Sequence, residues 1–382
     1  MARQEKVGRM PLTLKELGQL AGVHPSTVAR VLNGDPRQRV GDEVRQRILA
    51  LASEHGYQPN RLARSLRTKR SSVIGTLIPD IANPFFALMF RGIEDALSER
   101  DFSVILANTD DEPVREERGV AMLRGRQVDG LIIATARRHD PAIERLVAEQ
   151  VPFVLVNRHA ESTTPNAVVP ADYTGSVTAV AHLVGLGHRR IAHIAGSDEM
   201  STGATRRRGY QEALERHGIP FDPDLLAEGS YRDLGGYDAM RSLLALADPP
   251  TAVFAVNDLA AAGAIRAIRE AGFDVPRDIS IVGFNDLSTV APTAPSLTTL
   301  RLPVQEMGMM AAQRLLAQIL EGAVFHEPVI MPVSLIARDS SGPVPARYRQ
   351  SVTRLGASLV HDPDGWRSWA DVASALDIGE DA

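Results

Sequence analysis

The stretch Leu12-Thr-Leu-Lys-Glu-Leu-Gly-Gln-Leu-Ala-Gly-Val-His-Pro-Ser-Thr-Val-Ala-Arg-Val-Leu-Asn-Gly34 carries two helices and the turn between them. Thr13 and Glu16 are spaced as a capping box: the Thr13 hydroxyl accepts from the Glu16 backbone N–H, and the Glu16 carboxylate reaches back. Leu12 and Leu17 are placed as its hydrophobic staple, and Leu14, Leu17 and Leu20 supply an apolar stripe. Gly22 permits the positive φ that a tight turn needs. The second helix then opens with His24 as its N-cap and Pro25 at the first helical position, where a missing N–H costs nothing. Val28 and Val31 face inward, and Asn33-Gly34 stops the helix.

Working outward, Asp42 to His55 reads as a third helix with Val44, Ile48 and Leu51 on one face. Helix, glycine turn, helix and supporting helix is the helix-turn-helix plan, in which the second helix enters the major groove of DNA by its N-terminal residues. Those residues are Pro25, Ser26, Thr27, Ala29 and Arg30. The Arg30 guanidinium suits guanine O6 and N7, and Ser26 and Thr27 suit a base or a phosphate. A three-helix protein-interaction module is the competing reading of the helix pattern alone.

Charge separates the two. The chain has 382 residues and a net charge of -5, yet residues 1–70 hold 14 Lys and Arg against 6 Asp and Glu, a net of +8. The remainder has a net of -13, and all three lysines (Lys6, Lys15, Lys69) lie in the basic part. A basic head on an acidic body implies a polyanion partner for the head only. The length suits two or three domains, and 44% hydrophobic with 23% charged residues excludes a disordered chain or a fibre. Cysteine is absent, which removes disulfides, thiolate metal sites and cysteine nucleophiles. No run approaches the ~20 apolar residues of a membrane span, and Met1 to Leu14 lacks the apolar run of a signal peptide. A cytoplasmic location with no membrane contact is the expectation.

Beyond the head, Arg61, Arg64, Arg67, Lys69 and Arg70 make residues 57–70 strongly basic. Leu62 and Leu66, at i and i+4, share one face of a helix too short to be stable alone in water. A flexible basic linker fits the composition as well. From Ser71 the pattern alternates apolar runs with helical stretches. The runs are Val73–Ile78, Ser103–Leu106, Gly130–Ile133, Pro152–Val156, Ile191–Ile194, Ala252–Val256 and Ile279–Phe284. Continuous apolar runs suit parallel strands covered on both faces, and the intervening helices imply βαβ units. About 270 residues of this kind make two lobes, with a ligand expected beyond the carboxyl ends of the strands, between them.

The head stretch resembles the lactose/galactose repressor family almost continuously. His24 and Ala29 stand where that family usually has serines, so the operator sequence is not carried over with the fold. The resemblance extends through Asn83-Pro-Phe-Phe86, Val128–Ile133, His182–Ile191, Ala255–Asp258, Gly283–Asp286 and Leu297–Leu300, and so covers residues 12 to about 340. It implies an α/β protein divided into a helix-turn-helix domain (1–60), a hinge helix (61–70), a two-lobed effector-binding and dimerisation body resembling periplasmic sugar-binding proteins (71–340) and an extension (341–382). The hinge helix would fold on DNA and pair with its twin, Leu66 wedging between base steps in the minor groove. DNA contacts are then expected at Thr13, Pro25, Ser26, Thr27, Arg30, Asn33, Leu66 and Arg67.

The same resemblance assigns the effector site. Phe85 and Phe86 would pack on a sugar ring, or are plain core; Asp172 opens a second-lobe helix, or only caps it. Arg206, three residues before Gly209, matches the family's ligand-binding arginine, and Tyr231 matches an aromatic that stacks on the effector. Asn257 and Asn285 end strands and suit hydroxyls, Asn285 standing where the family commonly has aspartate. A homodimeric, sugar-responsive repressor of carbohydrate-utilisation genes that binds a palindromic operator is the implied function, with no cofactor and no metal.

The extension holds Trp366, Trp369, Val372, Ala373 and Leu376 at helical spacing after a Ser341–Pro345 linker; a small docked helix and disorder both remain open. No regular leucine heptad appears, which favours a dimer over a tetramer. A sugar-processing enzyme with a regulatory head would need a phosphate loop, a nucleophile elbow, a zinc helix or a carboxylate pair, and the sequence offers only isolated carboxylates such as Asp172 and Asp258.

Overall fold

The computed structural model describes residues 12–32, 40–57, 70–290 and 294–345. Asn33, Leu66, Arg67, hinge residues 61–69 and the extension beyond residue 345 lie outside them. The described part of the head consists of α1 (Leu14–Ala21), α2 (Pro25–Leu32) and α3 (Asp42–Glu54). Thr13 and Glu16 make the full capping box, and Gly22 ends α1 at φ 66°. Leu17, Ala21, Val28, Ile48 and Ala52 form a small core of their own. The expected stripe is corrected at its end: Leu20 is 52% exposed and Ala21 is buried in its place. With 100° per residue, Leu14, Leu17 and Ala21 stay on one face, whereas position 20 drifts off it.

The body is two lobes, each a six-stranded sheet. The first lobe contains β1 (Val73–Ile78), α4 (Pro84–Ser98), β2 (Ser103–Asn108), α5 (Pro113–Gly125), β3 (Gly130–Ile133), α6 (Pro141–Ala148), β4 (Phe153–Val156) and β5 (Ala167–Pro170). The second contains α7 (Asp172–Gly185), β6 (Ile191–Ala195), α8 (Ser201–Arg216), β7 (Leu226–Glu228), α9 (Asp233–Leu244), β8 (Ala252–Ala255), α10 (Asp258–Glu270), β9 (Ser280–Asn285) and β10 (Thr298–Arg301). The chain then returns to the first lobe with α11 (Val304–Glu321) and β11 (Val329–Met331), and β12 (Ser334–Ile336) closes the second.

The strand orders are β11-β5-β4-β3-β1-β2 and β12-β10-β9-β8-β6-β7. Pairing is parallel except for β10 with β12. In β1, Ile74 and Ile78 belong to one apolar cluster and Leu77 to another, so successive side chains feed opposite faces of the sheet. Covering on both faces is what turned these strands into unbroken apolar runs. In both lobes the strand order reverses, between β1 and β3 and between β6 and β8, and such switch points are where open α/β sheets bind ligands. The chain crosses between lobes three times, after β5, β10 and β11. Among the described residues no helix is long and apolar enough to cross a membrane.

Candidate functional site

In the head, α2 turns its buried Val28 onto Leu17, Ala21 and Ile48. The opposite face carries Ser26 and Arg30, one turn apart and exposed, and Pro25, Thr27 and Ala29 are half-buried beside them. His24 sets the start of this helix: its Nδ1 lies 3.2 Å from the Ser26 backbone nitrogen and 2.8 Å from the Ser26 hydroxyl, and the Thr27 N–H donates to its carbonyl. The Thr13 hydroxyl donates to Glu16 Oε2 at 2.8 Å and accepts from the Glu16 N–H, so the cap already uses it.

Between the lobes lies a cleft of about 730 Å³, walled by loops that follow β1, β2 and β4 on one side and β6, β7, β8 and β9 on the other. Phe85 and Phe86 reach its floor from the first turn of α4, edge to face with centroids 5.1 Å apart, and also join the core. Asn83 caps that helix by accepting from the Phe85 N–H. Arg206, Tyr231, Asn257 and Asn285 line the second wall, while Asp172 stands behind it.

Asp172 does not cap α7, whose N-cap is Ala171; its carboxylate receives Arg206 Nε at 2.8 Å and Nη2 at 2.7 Å. Burial pushes the Asp172 carboxyl up to about 6, against the pull of the guanidinium. Arg206 also donates to the Val256 carbonyl and lies 3.7 Å above the Phe284 ring centroid. The Tyr231 hydroxyl shares a hydrogen bond with Thr202 at 2.8 Å. Asn257 accepts from the Ala260 N–H as the cap of α10 and donates to the Tyr231 carbonyl at 2.9 Å, so both ends of its amide already serve the protein. Asn285 ends β9 with φ 120°, and its buried Oδ1 has no hydrogen-bond partner among the described residues.

Reading the sequence missed part of the first wall. Asn157 and Arg158 follow β4 directly, and Asp111 follows β2. The buried Arg158 grips Asp111 at 2.7 and 3.4 Å and lies 5.5 Å from the Tyr231 ring centroid of the other lobe. The rule that ligands gather beyond carboxyl ends of strands pointed at these positions, since the run Pro152–Val156 was legible. Arg137 joins them, between Glu116 at 3.5 Å and Glu199 of the second lobe at 3.6 Å. Arg232 meets Asp80 across the mouth at 2.9 Å. Among the described residues no three His, Asp or Glu side chains are grouped to hold a metal ion.

The family models of bacterial regulatory proteins, lacI family, and of periplasmic binding proteins and sugar binding domain of LacI family match residues 13–60 and 71–339. This chain belongs to the LacI family. It is 32% identical over 330 residues to the ribose operon repressor of Escherichia coli K12, covering 86% of this chain and 99% of that protein. The lac repressor dimer bound to operator and the anti-inducer ONPF superposes with a TM-score of 0.78 at 30% identity, covering 87% of this chain and all of the other. The complex of the transcriptional regulator CelR with cellobiose gives 0.67 at 33%, over 86% of this chain and all of that one. As a LacI-family member the chain is a DNA-binding transcriptional regulator and not an enzyme.

Proposed function

We propose that this regulator is a repressor of carbohydrate-utilisation genes in the cytoplasm. It binds a palindromic operator as a homodimer and is switched by a small effector, a sugar, held between the lobes. The reading divides the chain into residues 1–60 for DNA, 61–70 as hinge, 71–340 for effector and dimer, and 341–382 as extension. Ser26, Thr27 and Arg30 read or anchor the operator with Thr13, Pro25 and Asn33, and Leu66 and Arg67 act from the hinge. One observation carries it: a helix-turn-helix head precedes a body whose two switch points converge on one cleft lined by Arg206, Asn285 and Tyr231.

Effector binding changes how the lobes sit, which alters the hinge and so the affinity for DNA, a coupling between distinct sites. Genomic immunoprecipitation identifies the operator, and a sugar screen by fluorescence anisotropy on that operator then tests the switch. At least one sugar is expected to change operator affinity at least fivefold, a coupling of about 1 kcal/mol. Sequence-independent DNA binding, or an operator complex indifferent to every sugar, removes the proposal.

A further inference from the structure

The charges of the cleft cancel pair by pair, and this bears on which sugars fit, taking the cleft as the effector site. Among the described residues four guanidinium groups reach it, and each already meets a carboxylate. Arg206 holds Asp172 at 2.7 Å, Arg158 holds Asp111 at 2.7 Å, and Arg232 meets Asp80 at 2.9 Å. Arg137 sits between Glu116 and Glu199. Asp110 and Glu112 add two carboxylates to the wall, both facing Arg115. Among the described lining residues every arginine therefore has an acidic partner, and carboxylates outnumber guanidinium groups. A carboxylate or phosphate entering here would lose its hydration and gain no unshared cation in return.

The polar atoms left open are of the opposite kind. Asn285 Oδ1 is a buried acceptor and Arg158 Nε a buried donor, and neither has a partner among the described residues. One unused acceptor and one unused donor, next to the rings of Phe85, Phe86 and Tyr231, match a molecule bearing hydroxyls and C–H faces.

We infer that the effector is an uncharged sugar, and that sugar acids and sugar phosphates are rejected by charge. The test is calorimetry of the full-length protein against matched series: glucose, glucuronate, glucosamine and glucose 6-phosphate; galactose and galacturonate; ribose and ribose 5-phosphate; cellobiose and cellobionate. The neutral member that binds is expected to do so at least tenfold more tightly than its acidic and phosphorylated counterparts. An acidic or phosphorylated member that binds as tightly as its neutral parent, or an amino sugar that binds more tightly than it, overturns the inference. Failure of every saccharide, with operator binding intact, removes the sugar reading itself and this inference with it.

The second arm uses Asp111→Asn, which frees Arg158 of its carboxylate. Asp111 has φ 59°, a conformation asparagine adopts readily, so the backbone is kept. The neutral-to-acid preference is expected to narrow at least tenfold in this variant. An unchanged preference overturns charge pairing as its cause.

Discussion

Arg206 has two duties, and its substitutions must be read accordingly. It faces the cleft, and among the described residues it is also the side chain that pairs with the buried Asp172 carboxylate, resting on Phe284. Arg206→Ala leaves that carboxyl buried and unpaired, so a loss of roughly 3–5 kcal/mol of stability is expected along with effector affinity. The double variant Arg206→Met, Asp172→Leu removes the charge mismatch. It is expected to melt near the wild type, bind operator and still fail to bind effector by calorimetry; wild-type effector affinity would deny Arg206 its role. Glu116 is the second informative residue. Burial, reinforced by Asp140, pushes its carboxyl from an ordinary 4.5 up to about 7, against Thr135, Arg137 and Arg158. A carboxyl that holds its proton more tightly when folded favours folding at low pH. That contribution is full below about 4.5, and it is lost as the pH rises through about 7. It amounts to about 3 kcal/mol. Glu116→Gln keeps an acceptor for the Thr135 hydroxyl. It is therefore expected to melt several degrees above wild type at pH 8 and near it at pH 4.5; no pH-dependent gap would count against this account. At this scale Arg206 and Asn285 were legible as cleft-lining positions because the motifs Thr202–Tyr210 and Gly283–Asp286 surround them, whereas Tyr231 came only from the family resemblance. The sequence hid the Arg158–Asp111 and Arg137–Glu199 pairs, since 47 and 62 residues separate their members and only the folded sheets bring them together.

Helices meet through glycine. A Cβ on Gly92 of α4 would lie 1.9 Å from the Gln305 carbonyl oxygen of α11, and one on Gly308 of α11 would lie 2.1 Å from that of Met89. The second lobe repeats the device with Gly236 of α9 and Gly263 of α10. Neither pair of backbones can keep this approach with a side chain between them, so Gly308→Ala is expected to cost ~1–3 kcal/mol in urea unfolding. An unchanged midpoint would mean the helices separate freely. On α2, the exposed Arg30 is expected to read one base: Arg30→Ala should weaken operator binding by ~1–3 kcal/mol and relax preference at one position per half-site. Binding of a randomised-site library checks this, and a preserved consensus would refute it. The long apolar strands were legible because burial on both faces writes itself into composition. Other elements were not: β7, β11 and β12 have three residues each, β5 ends on Pro170, and β10, with Thr298 and Thr299 buried, reads as polar. Thr299 hydrogen-bonds Asp258 and Thr298 bonds Arg338, partners that no local pattern announces.

For the whole molecule, the path from cleft to head runs through residues 70–72. Asp129, just before β3, accepts the Ser71 N–H and hydroxyl on one oxygen and the Ser72 N–H on the other, at 2.7 to 3.0 Å. Arg70 donates to the Ile319 carbonyl near the end of α11 at 2.7 Å. The hinge thus leaves the body from a point fixed to the first lobe. Asp129→Ala is expected to leave effector affinity unchanged by calorimetry while the effector's influence on operator binding falls severalfold; full influence would show that the clamp transmits nothing. The triple crossing between lobes has a further result, in the order of synthesis. Neither lobe is one continuous run, for α11, which covers β3, β4 and β5, follows the entire second-lobe segment up to β10. At roughly 5–20 residues per second, a ribosome that has finished β5 needs about 10–30 s more to complete α11. Throughout that interval Ile132 and Val154 lack the covering face of Met307 and Leu315. Arrested nascent chains ending near residue 300 are accordingly expected to be cut by protease in the first lobe while the head, with its separate core, resists. The cell acquires the part that grips DNA well before the part that tells it when to let go.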